Sequence, residues 1–148
     1  MNKKAAITGG SRGIGRGTVR RLAKEGYDIA FTYSSDRGKV QAEALVEAIK
    51  STWHVECFAH KYELNIKGEA EKFVRKAYEE LGGLDLLVCN AGQSLVNSIF
   101  EMSEETIDFL LNLDFRSYLM AAREAGTIMG KNKIKGNIIF ISSCRGLR

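Results

Sequence analysis

Proline is absent from this chain of 148 residues, and nothing else in the composition offers a physical reason for it. Cysteine is scarce: Cys57, Cys89 and Cys144 are odd in number, widely spaced and without a C-x-x-C pair. That pattern argues against a disulfide framework and against a zinc site, and the three read as reduced core thiols. No apolar run approaches the ~20 residues that a membrane helix needs, so no membrane contact is expected. Met1-Asn2-Lys3-Lys4 runs straight into an apolar stretch and leaves no room for a signal peptide, which makes the cytoplasm the expected compartment. Internal repeats, low-complexity segments and linkers are also missing. The net charge is +4, but lysine and arginine are spread along the chain and not clustered. A solvated basic surface accounts for that distribution, and no nucleic-acid partner is expected.

What is present is an ordinary globular composition, 45% hydrophobic and 27% charged, at the length of one domain. The stretch that organises it is Thr8-Gly9-Gly10-Ser11-Arg12-Gly13-Ile14-Gly15. It follows the apolar run Ala5-Ala6-Ile7 and opens a segment in which Gly15, Val19, Leu22 and Ala23 share a helical face. A glycine-rich turn between strand and helix presents backbone N–H groups at the positive end of the helix dipole, a site for phosphate or pyrophosphate. Gly9, Gly13 and Gly15 supply the sharp turn, the close backbone approach and the close helix–sheet packing that such a site requires.

Strand and helix then alternate along the whole chain. Strands are expected at 5–8, 28–33, 54–59, 84–89 and 137–142. Helices are expected from Ile14 to Gly26, over 36–50, over 67–81 ahead of Gly82-Gly83, and from a Ser103 cap to about Met129. The apolar run 84–89, broken only by Asp85, suits a central parallel strand. The pattern predicts an α/β fold: a doubly wound parallel sheet in a three-layer αβα, Rossmann-like arrangement with strand order 3-2-1-4-5. On the long helix, Ile107, Leu110, Leu111, Asp114, Tyr118, Ala121, Ala122 and Ala125 are expected to share one buried stripe. Asp114 stands out there, because an ionisable group on an apolar stripe is costly unless it is paired or hydrogen-bonded.

The spacing Thr-Gly-x-x-x-Gly-x-Gly is not the G-x-G-x-x-G of the common dinucleotide fingerprint. It resembles the short-chain dehydrogenase/reductase family, and so do Asn90-Ala91-Gly92 after the fourth strand and Ile141-Ser142-Ser143 after the fifth. The similarity covers essentially the whole chain and is to members like the 3-oxoacyl-ACP reductases. It implies a single, incomplete NAD(P)-binding Rossmann domain over residues 1–148. It implies that Gly9, Ser11, Arg12, Gly13, Ile14 and Gly15 hold the pyrophosphate side of a cofactor. Asn90, Ala91 and Gly92 would lie beside a ribose, with Asn90 also readable as a turn residue satisfying its own backbone. Glu63 and Leu64 would lie near the adenine. Ser143 would be the catalytic serine. Asp114 falls where the family carries an asparagine that holds a water chain to the active-site lysine. An ionised aspartate accepts but does not donate there; the alternative is a satisfied polar residue at a helix kink.

Cofactor choice follows from charge. A dinucleotide with free ribose hydroxyls favours an acid at the end of the second strand, and Tyr33, followed by Ser34 and Ser35, occupies that place. Arg12 inside the glycine loop would add a charge-assisted hydrogen bond of about 1.5–3 kcal/mol to a 2′-phosphate. Ser11, Ser34, Ser35 and Arg37 are candidate helpers, and Asp36 opposes them. NADP(H) is therefore expected over NAD(H).

The family's Tyr-x-x-x-Lys is not found: Tyr27, Tyr33, Tyr62, Tyr78 and Tyr118 each lack a lysine four residues on. The tyrosine is the family's general acid/base, and the lysine lowers its pKa. The chain is therefore expected to be the N-terminal portion of an oxidoreductase that moves hydride between nicotinamide and a carbonyl or secondary alcohol. Alone it is expected to be inactive, with an exposed apolar edge at the fifth strand. A small-molecule carbonyl or alcohol is the expected substrate, and homo-oligomerisation through the long helices is expected of the full-length form. A non-catalytic NADP-binding module is the alternative. An S-adenosylmethionine methyltransferase, which wants an acid at position 33, is disfavoured by Tyr33.

Overall fold

The computed structural model describes residues 1–95 and 98–143. Five parallel strands form one sheet: β1 (Lys4–Ile7), β2 (Asp28–Tyr33), β3 (Cys57–Lys61), β4 (Leu86–Cys89) and β5 (Asn137–Phe140). Their order is β3-β2-β1-β4-β5, as the alternating pattern predicts. The period-2 geometry of the strands sends successive side chains to opposite faces, so the sheet carries two cores. Ala5, Ile7, Ile29, Phe31, Leu86 and Val88 face α1 (Gly13–Lys24) and α2 (Asp36–Trp53), where Val19, Ala23, Leu45 and Ile49 meet them. Ala6, Ala30, Leu87 and Cys89 face α3 (Glu69–Leu81) and α5 (Ser117–Lys131), against Phe73, Val74, Ala77, Ala121 and Ala125.

Two sequence expectations are corrected. The third strand begins three residues later than expected. Helix α2 continues to Trp53, His54 ends it in the left-handed region at φ 55°, and buried Val55 turns the chain into β3. The long helix is not one regular stripe. Between α4 (Glu104–Leu110) and α5 runs a π turn, Leu111–Arg116. Its wider turn rotates the side chains that follow. The buried face is therefore Ser117, Ala121, Ala125 and Met129, whereas Ile107, Leu111 and Asp114 are exposed. Ser103 does cap the segment, its hydroxyl accepting from the Thr106 N–H at 3.3 Å.

Cys57 and Cys89 are buried, and burial pushes each thiol up to about 12, which keeps both protonated and inert. Cys144 lies outside the described residues. Among the described residues no helix is long and apolar enough to cross a membrane, and no cluster of metal-ligating side chains is present.

At the amino edge of β2, Asp28 is 6% exposed and is shared by three donors. They are the Lys4 ammonium, the Asn2 amide at 3.0 Å and the Glu56 N–H at 2.9 Å. Burial works against its charge, but these donors outweigh it and hold the carboxyl below the ordinary range. A depressed folded-state pKa stabilises above the unfolded value of about 3.9 and is lost as pH falls through the folded value. Asp28→Asn is expected to cost about 1.5–3 kcal/mol at pH 7. The deficit should shrink as pH falls below the unfolded value and through the depressed folded one, as thermal melts across pH will read.

Candidate functional site

The glycine loop leaves β1 at the carboxyl end of the sheet, where open α/β sheets present their crevice. Two buried threonines sew it to its neighbours. Thr8 Oγ1 accepts from the backbone N–H groups of Asn90 at 2.8 Å and Ala91 at 3.0 Å. Thr32 Oγ1 accepts from the Gly9 N–H at 2.8 Å. The Asn90 amide does not satisfy its own turn: it donates to the carbonyls of Thr8 at 3.1 Å and Gly9 at 3.0 Å. The loops after β1 and β4 are thereby one rigid unit. Gly9 takes φ +70° with its α-carbon against Ala91, and an added Cβ would sit 2.9 Å from the Ala91 Cα. Gly10 is equally constrained, since a Cβ there would come within 2.6 Å of the Phe31 side chain; the motif spacing gave no sign of that role.

Above this unit lies a cavity of about 410 Å³. Gly9, Ser11, Arg12, Gly13 and Ile14 line one side of it, Tyr33 and Ser34 come from the end of β2, Glu63 and Leu64 follow β3, and Asn90, Ala91 and Gly92 follow β4. Apart from the candidate helpers Ser35 and Arg37, every cofactor residue expected from sequence lines this one space except Gly15, which is buried beneath the loop. Thr32, Tyr62, Asn65, Gln93, Phe109 and Leu113 join them. Phe109 and Leu113 were hidden because the regular-helix register placed the inward face elsewhere. Ser35 and Arg37 do not line the cavity; the Ser35 hydroxyl is occupied in capping α2, accepting from the Gly38 N–H at 3.1 Å.

The electrostatics favour an anion. Arg12 precedes α1 in extended conformation without capping it through its side chain, and the first turn of α1 carries no acid. The donors of that turn therefore face the cleft with the positive end of the dipole. A Cβ at Gly13 would meet nothing within 4 Å, so the backbone there is open to a ligand. Asp36, the nearest acid in sequence to the end of β2, is 97% exposed and pairs with Lys61 at 3.4 Å.

A second cavity, of about 660 Å³, shares Ile14, Asn90, Gly92 and Gln93 with the first. Its walls are largely apolar, from Phe115, Tyr118, Leu119, Phe140 and Ile141, and they include Ser142, Ser143 and Asp114. Asp114 is exposed, and its Oδ1 accepts from the Gln93 N–H at 3.0 Å. It is thus a satisfied polar residue at a helix irregularity and braces the loop after β4. Tyr118 is half-buried; burial pushes its phenol up to about 12, with Cys89 and Asp114 adding to the shift.

The family model described as short chain dehydrogenase matches residues 3–148. The chain is 34% identical over 148 residues to a short-chain dehydrogenase/reductase of Armillaria gallica, covering 99% of this chain and 54% of that protein. It is 34% identical over 146 residues to a 3-oxoacyl-[acyl-carrier-protein] reductase of Staphylococcus epidermidis, covering 99% of this chain and 58% of that one. Among solved structures, a blue fluorescent protein from a metagenomic library in complex with NADPH is similar with a TM-score of 0.90 and 35% identity. That match covers 99% of this chain and 58% of the other. The chain therefore spans little more than half the length of the relatives it matches.

Proposed function

From the premise that this chain belongs to the short-chain dehydrogenase/reductase family, we propose that it binds NADP(H) as the cofactor-binding part of a carbonyl-reducing or alcohol-oxidising enzyme. The observation that carries this is the acid-free, side-chain-uncapped start of α1. It opens, with Arg12 beside it, on a cleft that shares wall residues with the cavity lined by Ser143.

The residues fit such a cofactor. The pyrophosphate is received by the first-turn N–H groups of α1 across Gly9, Ser11, Gly13 and Ile14. Gly15 lets the helix approach closely enough for this. Arg12, helped by Ser34 and Ser11, holds the 2′-phosphate at the end of β2, where Tyr33 brings no negative charge. Leu64 and Glu63 flank the adenine, and Asn90-Ala91-Gly92 line the ribose path into the second cavity. The cofactor supplies or accepts a hydride at its nicotinamide. Ser143 donates a hydrogen bond to the oxygen of a small carbonyl or alcohol substrate in the apolar second cavity. Asp114 acts as a positioning group through Gln93. No tyrosine in the 148 residues is followed by lysine at the fourth position, so these residues bind the cofactor without themselves supplying the proton. Ile107, Leu111, Phe115 and Leu119 leave an exposed apolar ridge at four-residue spacing, and self-association through that ridge belongs to the same reading.

The test is titration of the chain with NADPH and with NADH by calorimetry, alongside an NADPH-oxidation assay on a panel of carbonyl compounds. NADPH should bind about tenfold or more tightly than NADH, with no turnover. Preference for NADH, or binding of neither nucleotide, overturns the cofactor reading; sustained NADPH oxidation overturns the assignment of binding without proton supply.

A further inference from the structure

The strand that delivers Ser143 to its cavity lies at the edge of the described sheet. β5 is four residues long, and every one of its residues is exposed, Ile138 at 38%, Ile139 and Phe140 at 45%. Backbone pairing to β4 fixes its register and ends with the Ile141 N–H donating to the Cys89 carbonyl at 2.9 Å. Past that bond the chain runs Ile141-Ser142-Ser143 into the second cavity. At this exit Tyr118 meets it. The Tyr118 ring stands edge-on to the Phe140 ring, with centroids 5.4 Å apart and planes at 68°. Its hydroxyl reaches the Ile141 carbonyl at 3.5 Å. We propose that Tyr118 is a positioning residue that sets the path of residues 141–143, and through it the placement of Ser143.

The π turn is what brings Tyr118 there. Leu111–Arg116 end in Ser117, whose hydroxyl donates to the Leu113 carbonyl at 2.6 Å and locks the exit from the wide turn. One helical turn before Tyr118, Asp114 reaches the Gln93 N–H. Asp114 and Tyr118 both line the second cavity, so one stretch of helix braces both loops that bound it. Asp114 serves the loop after β4, and Tyr118 serves the end of β5. A ring is needed to meet Phe140, and a hydroxyl to reach past it to the carbonyl. Because burial keeps the phenol protonated well above neutral pH, it remains a donor at working pH.

The inference rests on the reading of Ser143 as the residue that binds the substrate oxygen, and its test is independent of turnover. Tyr118→Leu and Tyr118→Phe are made in the 148-residue chain, and backbone amides are followed by NMR with hydrogen exchange. Tyr118→Leu should speed exchange at Ile141 by about tenfold and move the Ser143 amide resonance, while Thr8 and Asn90 stay within about twofold of the parent. Tyr118→Phe, which keeps the ring and loses only the hydroxyl, should show a smaller change, still confined to residues 141–143. Unchanged Ile141 and Ser143 signals, or acceleration spread evenly over the sheet, overturn the proposal. If Tyr118→Leu does not fold, Tyr118→Phe decides alone: a change confined to residues 141–143 supports the proposal and none overturns it. Failure of the parent chain to bind NADPH would sink the cofactor reading while leaving the exchange result intact.

Discussion

Gly15→Ala is expected to weaken NADPH binding by about a hundredfold and to lower stability by about 1–3 kcal/mol or more, the range for forcing atoms into a packed site. The Cβ of an alanine at Gly15 would lie 2.0 Å from the Gly9 carbonyl oxygen, 2.5 Å from the Asn90 amide nitrogen and 2.9 Å from the Gly9 carbonyl carbon. Two of these are backbone atoms, so no rotamer change relieves the clash. The Gly9 carbonyl is also the acceptor for Asn90, and the Gly9 N–H is held by Thr32. Moving it disturbs the loops after β1, β2 and β4 together. The helix must tilt away or the loop must lift, and either displaces the first-turn donors of α1 proposed to receive the pyrophosphate. Gly17→Ala is the matched control on the same helix. A Cβ there meets nothing within 4 Å, and alanine in a helix interior gains about 0.5–1 kcal/mol over glycine. Thermal melts of the pair should therefore move in opposite directions, and only Gly15→Ala should weaken NADPH binding. A Gly15→Ala variant that binds like the parent would remove the close helix approach from the account of the site.

The features legible in the sequence were those written in local pattern. Alternating strand and helix signals, with a glycine turn after the first strand, led to the observed strand order. Asp28–Tyr33 carry enough β-favouring residues that both ends of β2 were readable. The glycines, Asn90 and Ser143 were marked by their resemblance to the family's motifs, and each follows the carboxyl end of a strand. What was not legible depends on contacts between distant segments. His54 carries no mark of the left-handed cap that ends α2 and delays β3. The π turn has no local signature in Leu111–Arg116, and without it the helical register buried Asp114 and turned Phe109 and Leu113 away from the cleft. Thr32 reads as an ordinary β-branched strand residue; only the proximity of Gly9 makes its hydroxyl a pin for the loop. Asp28 reads as the polar start of a strand. Only Asn2, Lys4 and the Glu56 N–H converging on it make it a buried carboxylate.

Cofactor preference should turn on two positions. Arg12→Ser removes an exposed guanidinium beside the start of α1 without disturbing a cap, because the Arg12 side chain makes none. A charge-assisted hydrogen bond is worth about 1.5–3 kcal/mol, so NADPH should weaken by about tenfold to a hundredfold. NADH, which has no 2′-phosphate, should be nearly unaffected. The parent's affinity for NADPH should fall with added salt, and that slope should flatten in the variant, because the interaction lost is between exposed charges. Tyr33→Asp tests the other half. It places a carboxylate at the end of β2, in a position to repel a 2′-phosphate and to accept from free ribose hydroxyls. The backbone bond from the Tyr62 N–H to the carbonyl of residue 33, 3.0 Å long, does not depend on the side chain, so the end of the strand is retained. Asp36 already lies three residues on, but it faces solvent and pairs with Lys61, so it is not expected to impose the preference that an acid at position 33 would. The double variant should therefore favour NADH, with the Arg12 change lowering NADPH affinity and the Tyr33 change lowering it further while raising NADH affinity. An unchanged ratio of the two affinities in Arg12→Ser would show that the 2′-phosphate is not recognised from the glycine loop.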